Sequence, residues 1–149
     1  AHLIAADLLR HGVDPETVFQ HLYATAPRRR LELLREALGT LETDPDLGLA
    51  WMVVPADVDQ RLHTTSEDYE GLIDHARTVE GTEVALLFRQ IPGPRTKISF
   101  RSNGDTDVNR IARLFGGGGH VKASGATVEG PVESVVPRVM KAVRETLTS

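Results

Sequence analysis

The chain of 149 residues contains no cysteine. That excludes disulfide staples and thiol chemistry, and it fits a reducing, cytoplasmic setting. No apolar run approaches the roughly 20 residues that a membrane-spanning helix needs, and no signal peptide is visible. No His, Asp and Glu cluster has the spacing of a metal site. Asp74-His75 is followed by Ala76 inside a helical pattern (Leu72, Ile73, His75, Ala76, Val79) and reads as a helix surface. His2, His11 and His21 fall in helical stretches and His63 in a loop, and all four read as surface residues.

The net charge is −4, yet it is unevenly spread. Between Arg89 and Lys122 stand seven basic residues (Arg89, Arg95, Lys97, Arg101, Arg110, Arg113, Lys122) and two acidic ones (Asp105, Asp107), a local charge of +5. A basic stretch this short suits a small anionic ligand better than a long duplex. At 40% apolar content the chain can build one core, or one core with a helical appendage.

Inside the basic stretch lies Phe115-Gly116-Gly117-Gly118-Gly119-His120-Val121-Lys122. Four consecutive glycines give up side-chain packing and cost roughly 0.5–1 kcal/mol each relative to alanine in a regular element, so the run needs a geometric reason. Close approach by a ligand is one such reason. Without Cβ atoms, successive N–H groups can line a concavity that suits a phosphate, with the imidazole of His120 at its rim and Lys122 close by. The competing reading is a structural turn. The run matches neither a Walker loop, which needs Gly-Lys-Ser/Thr, nor a Rossmann fingerprint, which needs a glycine at Val121.

Periodicity supplies the scaffold. A helix is expected over Leu3 to Leu9, and a second from Asp14-Pro15-Glu16, an N-cap with an N1 proline and an acidic first turn, to about Thr25. Pro27 starts a third, with Leu31, Leu34, Leu38 and Leu41 on one stripe, and Arg28-Arg29-Arg30 reads as its solvated start. Thr43-Asp44-Pro45-Asp46 breaks the pattern and marks a domain boundary. Leu47 to Val54 reads as a strand, Ala56 to Leu62 as a short helix, and Glu83 to Gln90 and Arg95 to Arg101 as a hairpin across Ile91-Pro92-Gly93-Pro94. Lys97, Ser99 and Arg101 alternate with Ile98 and Phe100, giving one polar and one buried face. Asp105 to Asp107 cap a helix leading to the glycines, a short strand follows over Ala126 to Val128, and a last helix from Pro131 to about Leu147 is bent or interrupted near Pro137.

Glu70-Gly71-Leu72-Ile73, Val84 to Arg89, Lys97 to Ser102, Asp107-Val108, Phe115 to His120 and Ala123-Ser124-Gly125, in that order, resemble the DHH-associated C-terminal domain of DHH-family phosphoesterases, most of all the nanoRNase type. The resemblance covers about residues 47–148. It implies an α/β fold, a mixed sheet flanked by helices, in which residues 47–149 form the substrate-binding domain. Residues 1–42 would be a helical tail linking it to an N-terminal catalytic domain. The Asp-His-His motif of that domain is absent, and the chain opens on Ala1 within a helical pattern, so it reads as the C-terminal piece of a larger enzyme.

The same resemblance implies the chemistry. Two manganese ions would sit on the N-terminal domain, and this piece would carry no catalytic residue or metal. The backbone of Gly117, Gly118 and Gly119 and the imidazole of His120 would contact a phosphate. Arg101 and Ser102 would hold a terminal phosphate or base, with Arg89, Asn103 and Lys122 as further contacts. Substrates would be short RNA or DNA oligonucleotides, 3′-phosphoadenosine 5′-phosphate (pAp), or cyclic and linear dinucleotides; relatives are commonly homodimers, and the sequence leaves the oligomeric state open. Two departures stand out: Ser124 replaces a frequent alanine, and the signature holds four glycines rather than three. An alternative is a non-catalytic RNA-binding module like the similar C-terminal domain of alanyl-tRNA synthetases.

Overall fold

A computed structural model describes residues 7–148. After a helical turn at residues 7–10, the chain forms α1 (Pro15–Tyr23), α2 (Arg28–Leu38), β1 (Glu42–Asp44), β2 (Leu49–Val54) and α3 (Val58–Leu62). A 3-10 turn (Ser66–Tyr69), α4 (Leu72–Arg77), β3 (Val84–Ile91), β4 (Arg95–Ser102), α5 (Val108–Arg113), β5 (Gly118–His120), β6 (Ala123–Glu129) and α6 (Val132–Thr148) follow. The first part of the helix expected from Leu3, residues 3–6, lies outside the described residues.

The six strands form one sheet in the order β1-β2-β3-β4-β6-β5. Only β2 and β3 run parallel; the remaining pairs are antiparallel, so the sheet is mixed. Leu-Ala-Trp-Met-Val-Val in β2 and Val-Ala-Leu-Leu-Phe in β3 are apolar without alternation because helices cover both faces at that point. On one face α5 (Val108, Ile111, Ala112) and α6 (Val135, Val139, Val143) pack on Trp51, Leu86, Phe88, Ile98 and Phe100. On the other, α2 and α4 pack on Ala50, Met52, Ala85 and Leu87.

Those two helices reach β2, β3 and part of β4, leaving β6 and β5 bare on that face. β4 shows the transition: Thr96, Ile98, Phe100 and Ser102 are buried, while Lys97 is exposed and Ser99 and Arg101 are half-buried. The expected alternation therefore sorts core from open surface.

Several elements differ from the sequence reading. The buried row of α2 is Leu33 and Ala37, with Leu34 and Leu41 of the expected stripe partly buried beside it, whereas Leu31 and Leu38 are 59% and 41% exposed. Arg29 lies one turn before Leu33 on that row, and its Nε donates to Asp68 at 2.7 Å. Arg30 donates to the Glu70 carbonyl at 2.7 Å, so Arg29 and Arg30 clamp α2 to the turn before α4, while Arg28, 90% exposed and paired with Glu32 on its own helix, is the solvated start expected. Thr43 and Asp44 belong to β1, and Asp44 pairs with Arg144 of the last helix. The last helix runs through Pro137 without interruption.

Asp68 is 3% exposed. The Arg29 guanidinium beside it, helped by the Thr65 N–H and hydroxyl, holds its carboxyl below the ordinary value of 3.8 against the opposing effect of burial. A folded-state pKa below the unfolded one stabilises the fold above the unfolded pKa, and that contribution disappears as pH falls through the folded one. Urea melts are therefore expected to lose stability below about pH 4, and Asp68→Asn should flatten that part of the profile. An unchanged acid limb in Asp68→Asn would rule out this coupling.

Candidate functional site

The glycine run closes the sheet. Asp107 caps α5, accepting from the Asn109 and Arg110 N–H groups at 2.9 and 3.3 Å, and the chain leaves α5 through Gly116 at φ +70°. Gly118, Gly119 and His120 then pair with Gly125, Ser124 and Ala123 of β6. A Cβ on Gly117 would lie 2.1 Å from the Gly125 carbonyl oxygen, and one on Gly119 would lie 2.6 Å from that of Ala123. The close approach that these glycines permit is made by the chain's own β6. Gly118 alone among the three has room, its nearest neighbour being Asn109 Oδ1 at 3.8 Å.

Register aligns the side chains across the open face. His120 stands opposite Ala123, Ala123 opposite Arg101, and Arg101 opposite Ala85. One step along, Gly118, Gly125 and Ser99 form a second row. Glycine and alanine thus make a floor without side-chain relief between the exposed imidazole of His120 and the guanidinium of Arg101. Arg101 Nη1 donates to the Phe100 carbonyl at 3.0 Å, which anchors one end of the fork. Among the described residues the imidazole has no hydrogen bond or ion pair. A cationic fork and a ring donor above a bare backbone floor can grip a phosphate or carboxylate.

Other residues expected at the site are placed differently. Ser102 points to the opposite face, 4% exposed, and its hydroxyl donates to the Gly104 carbonyl at 3.2 Å. Strand alternation makes this unavoidable for the neighbour of Arg101. Asn103 Nδ2 donates to the carbonyls of Arg77 and Thr82, both at 2.9 Å, tying the strand end to the loop after α4. Lys122 Nζ donates to the Gly104 carbonyl. Ser124 is buried and donates to the His120 carbonyl at 2.7 Å, bracing the turn between β5 and β6. Arg89 does belong to the open face, at its far end opposite Lys97.

Sequence reasoning missed Tyr69 and the floor. Tyr69 lies in a 3-10 turn whose pattern carries no periodic signal, and only folding brings its ring beside Arg89. The floor had a signal, the small residues Ala123 and Gly125 two apart on β6. Among the described residues no group of His, Asp or Glu could hold a metal ion, so these residues do not fit a manganese centre. Asp74 is paired with Arg77 at 3.0 Å, and His75 is exposed. His11, His21 and His63 are exposed, and His2 lies outside the described residues. No helix among the described residues is long and apolar enough to cross a membrane.

A mixed sheet with one half-face left bare, floored by glycine and rimmed by Arg and His, defines an α/β domain with a cationic open face. The chain belongs to the DHHA1 domain family, whose model matches residues 53–149. It is 35% identical over 146 residues to the bifunctional oligoribonuclease and PAP phosphatase NrnA of Thermus thermophilus, covering 97% of this chain and 43% of that protein. An exopolyphosphatase-related protein from Bacteroides fragilis superposes with a TM-score of 0.89 at 26% identity, over 99% of this chain and 43% of the other. The C-Ala domain of Aquifex aeolicus alanyl-tRNA synthetase shares the fold, with a TM-score of 0.52 at 15% identity, over 73% of this chain and 98% of that one. The chain thus spans less than half the length of these phosphatase-type relatives.

Proposed function

We propose that this chain is the substrate-holding domain of a cytoplasmic phosphodiesterase that hydrolyses short oligonucleotides, pAp or dinucleotides. The observation that carries the reading is the in-register row of His120, Ala123 and Arg101 over a floor of Gly118 and Gly125. The bifunctional name of the Thermus relative supports the substrate class. In this reading His120 and Arg101 bind and orient the nucleotide phosphate, and the backbone of Gly118 approaches it from the floor. The segment before α2 leads from an N-terminal domain of a longer protein, which carries the two manganese ions and cuts the bond, and the enzyme works as a homodimer. The piece alone binds and does not hydrolyse. Orienting one end of a ligand against a separate reacting centre is itself a large part of catalysis.

Calorimetric titration with a 5′-phosphorylated adenine dinucleotide tests this. Micromolar binding, about −8 kcal/mol, is expected for the unmodified chain, with at least a tenfold loss in His120→Ala and no change in its urea midpoint. The imidazole is exposed and makes no hydrogen bond or ion pair among the described residues, so unchanged affinity in that variant sinks the assignment. The shared fold with the C-Ala domain favours a second reading, a non-catalytic RNA-binding module. In that case a structured RNA should displace the dinucleotide and bind more tightly than it.

A further inference from the structure

Two cavities meet at one short segment of the chain. The first, about 290 Å³, belongs to the open face and is lined by Arg89, Ser99 and Arg101 of the sheet and by Tyr69, Glu70 and Gly71. The second, about 450 Å³, lies around the start of α2, where Thr25, Ala26 and Arg30 line it together with Asp68, Glu70 and Gly71. Glu70 and Gly71 line both, so residues 68–71 are the wall between the ligand face and α2.

That wall is gripped from α2 on either side of Tyr69. Arg29 Nε donates to Asp68 at 2.7 Å, and Arg30 Nη2 donates to the Glu70 carbonyl at 2.7 Å. Two consecutive residues of one helix thus hold the two neighbours of the tyrosine. Asp68 also accepts from the Thr65 N–H at 2.8 Å, which closes the 3-10 turn on itself. Leu33 and Ala37 anchor α2 in the core, but they stand beyond its first turn, which reaches the wall through the two guanidinium groups.

Tyr69 passes the restraint on to the ligand face. The guanidinium carbon of Arg89 lies 3.9 Å from the centroid of its ring. Its hydroxyl donates to Asp59, which also accepts from the Thr64 hydroxyl, so the far end of the ring is fixed as well. Arg89 Nε is buried without a hydrogen-bond partner among the described residues, so the stack, not a bond at that atom, sets the plane of the guanidinium. The donors of a guanidinium lie in its plane, and a fork turned out of line loses its bidentate grip.

We propose that Arg29 and Arg30 are positioning residues, which fix Tyr69 and through it Arg89, and so couple the first turn of α2 to the ligand affinity of the open face. The proposal deepens the proposed function and rests on it, because the ligand is the one assigned to that face. Displacing the first turn of α2 then weakens binding, and by linkage the bound ligand tightens the hold of α2 on the wall.

The test joins titration of the full 149-residue chain with the 5′-phosphorylated adenine dinucleotide to the position of the Arg89 Nε–H resonance, which senses the ring current of Tyr69. Arg29→Ala strips a buried carboxylate of its cation and endangers the fold, so Arg30→Ala, whose partner is a carbonyl of the exposed Glu70, is the main variant. Arg30→Ala should bind at least fivefold more weakly at an unchanged urea midpoint, with its Arg89 signal moved towards that of Tyr69→Leu. Arg29→Lys, which keeps a cation for Asp68, should hold the Arg89 signal in place and recover most of what Arg29→Ala loses. An unmoved Arg89 signal or an unchanged affinity in Arg30→Ala overturns the coupling. Weaker binding with the Arg89 signal in place would mean that Arg30 touches the ligand itself, and overturns it too. Failure of the primary reading looks different: the unmodified chain binds no dinucleotide although the Arg89 signal still moves in Arg30→Ala.

Discussion

Gly117→Ala is expected to lower stability by about 3 kcal/mol or more, the upper end of what overpacking costs. The new Cβ would stand 2.1 Å from the Gly125 carbonyl oxygen and 2.7 Å from the Ala126 Cβ. Gly125 is a backbone neighbour in the middle of β6 and Ala126 is part of the core, so neither can swing aside as a flexible side chain would. Relief requires β5 to peel from β6, which would carry His120 away from Arg101. Urea midpoints measure the loss, and dinucleotide binding should disappear with it. Gly118→Ala is the control, because a Cβ there meets nothing closer than 3.8 Å and the midpoint should hold. If binding nevertheless falls in Gly118→Ala, the backbone at that position touches the ligand. Equal midpoints for Gly117→Ala and the unmodified chain would contradict the packing described here.

Arg101→Ala should weaken dinucleotide binding by about 10- to 100-fold, the scale of a charge-assisted hydrogen-bond pair of roughly 1.5–3 kcal/mol. Arg101→Lys should recover little of it. Lysine keeps the charge but presents a point donor, and cannot both hold the Phe100 carbonyl and offer a fork to a phosphate. The side chain is half-buried on the open face and not part of either core cluster, so the melting transition should stay close to the original. Full recovery of affinity in Arg101→Lys would mean that only net charge matters at this position. No loss in Arg101→Ala would remove it from the site.

How far the sequence could be read differs by element. β3 and β4 were legible to within a residue, because a continuous apolar run, a Pro-Gly-Pro turn and an alternating strand each carry a local signal. The α5 cap was legible for the same reason, since Asp107 bonds only to the next turn. On α2 four leucines suggested a stripe, but the face that docks is chosen by Arg29 reaching Asp68, 39 residues away. Ser102, Asn103 and Lys122 were plausible ligand contacts by type and neighbourhood. Their hydrogen bonds go to the carbonyls of Gly104, Arg77 and Thr82, none of them foreseeable from spacing.

Taken alone, the sequence established an α/β chain with a basic, glycine-rich segment and no cysteine. Those properties are local, being composition, periodicity and charge along the chain. Tertiary structure decided what the glycines are for, which side chains share a face, and where that face is left open. Such facts depend on strand register and on which strands the helices cover, both set by contacts between residues far apart in the chain. The backbone of Gly117 makes room for β6, and only because of that does His120 stand in line with Arg101.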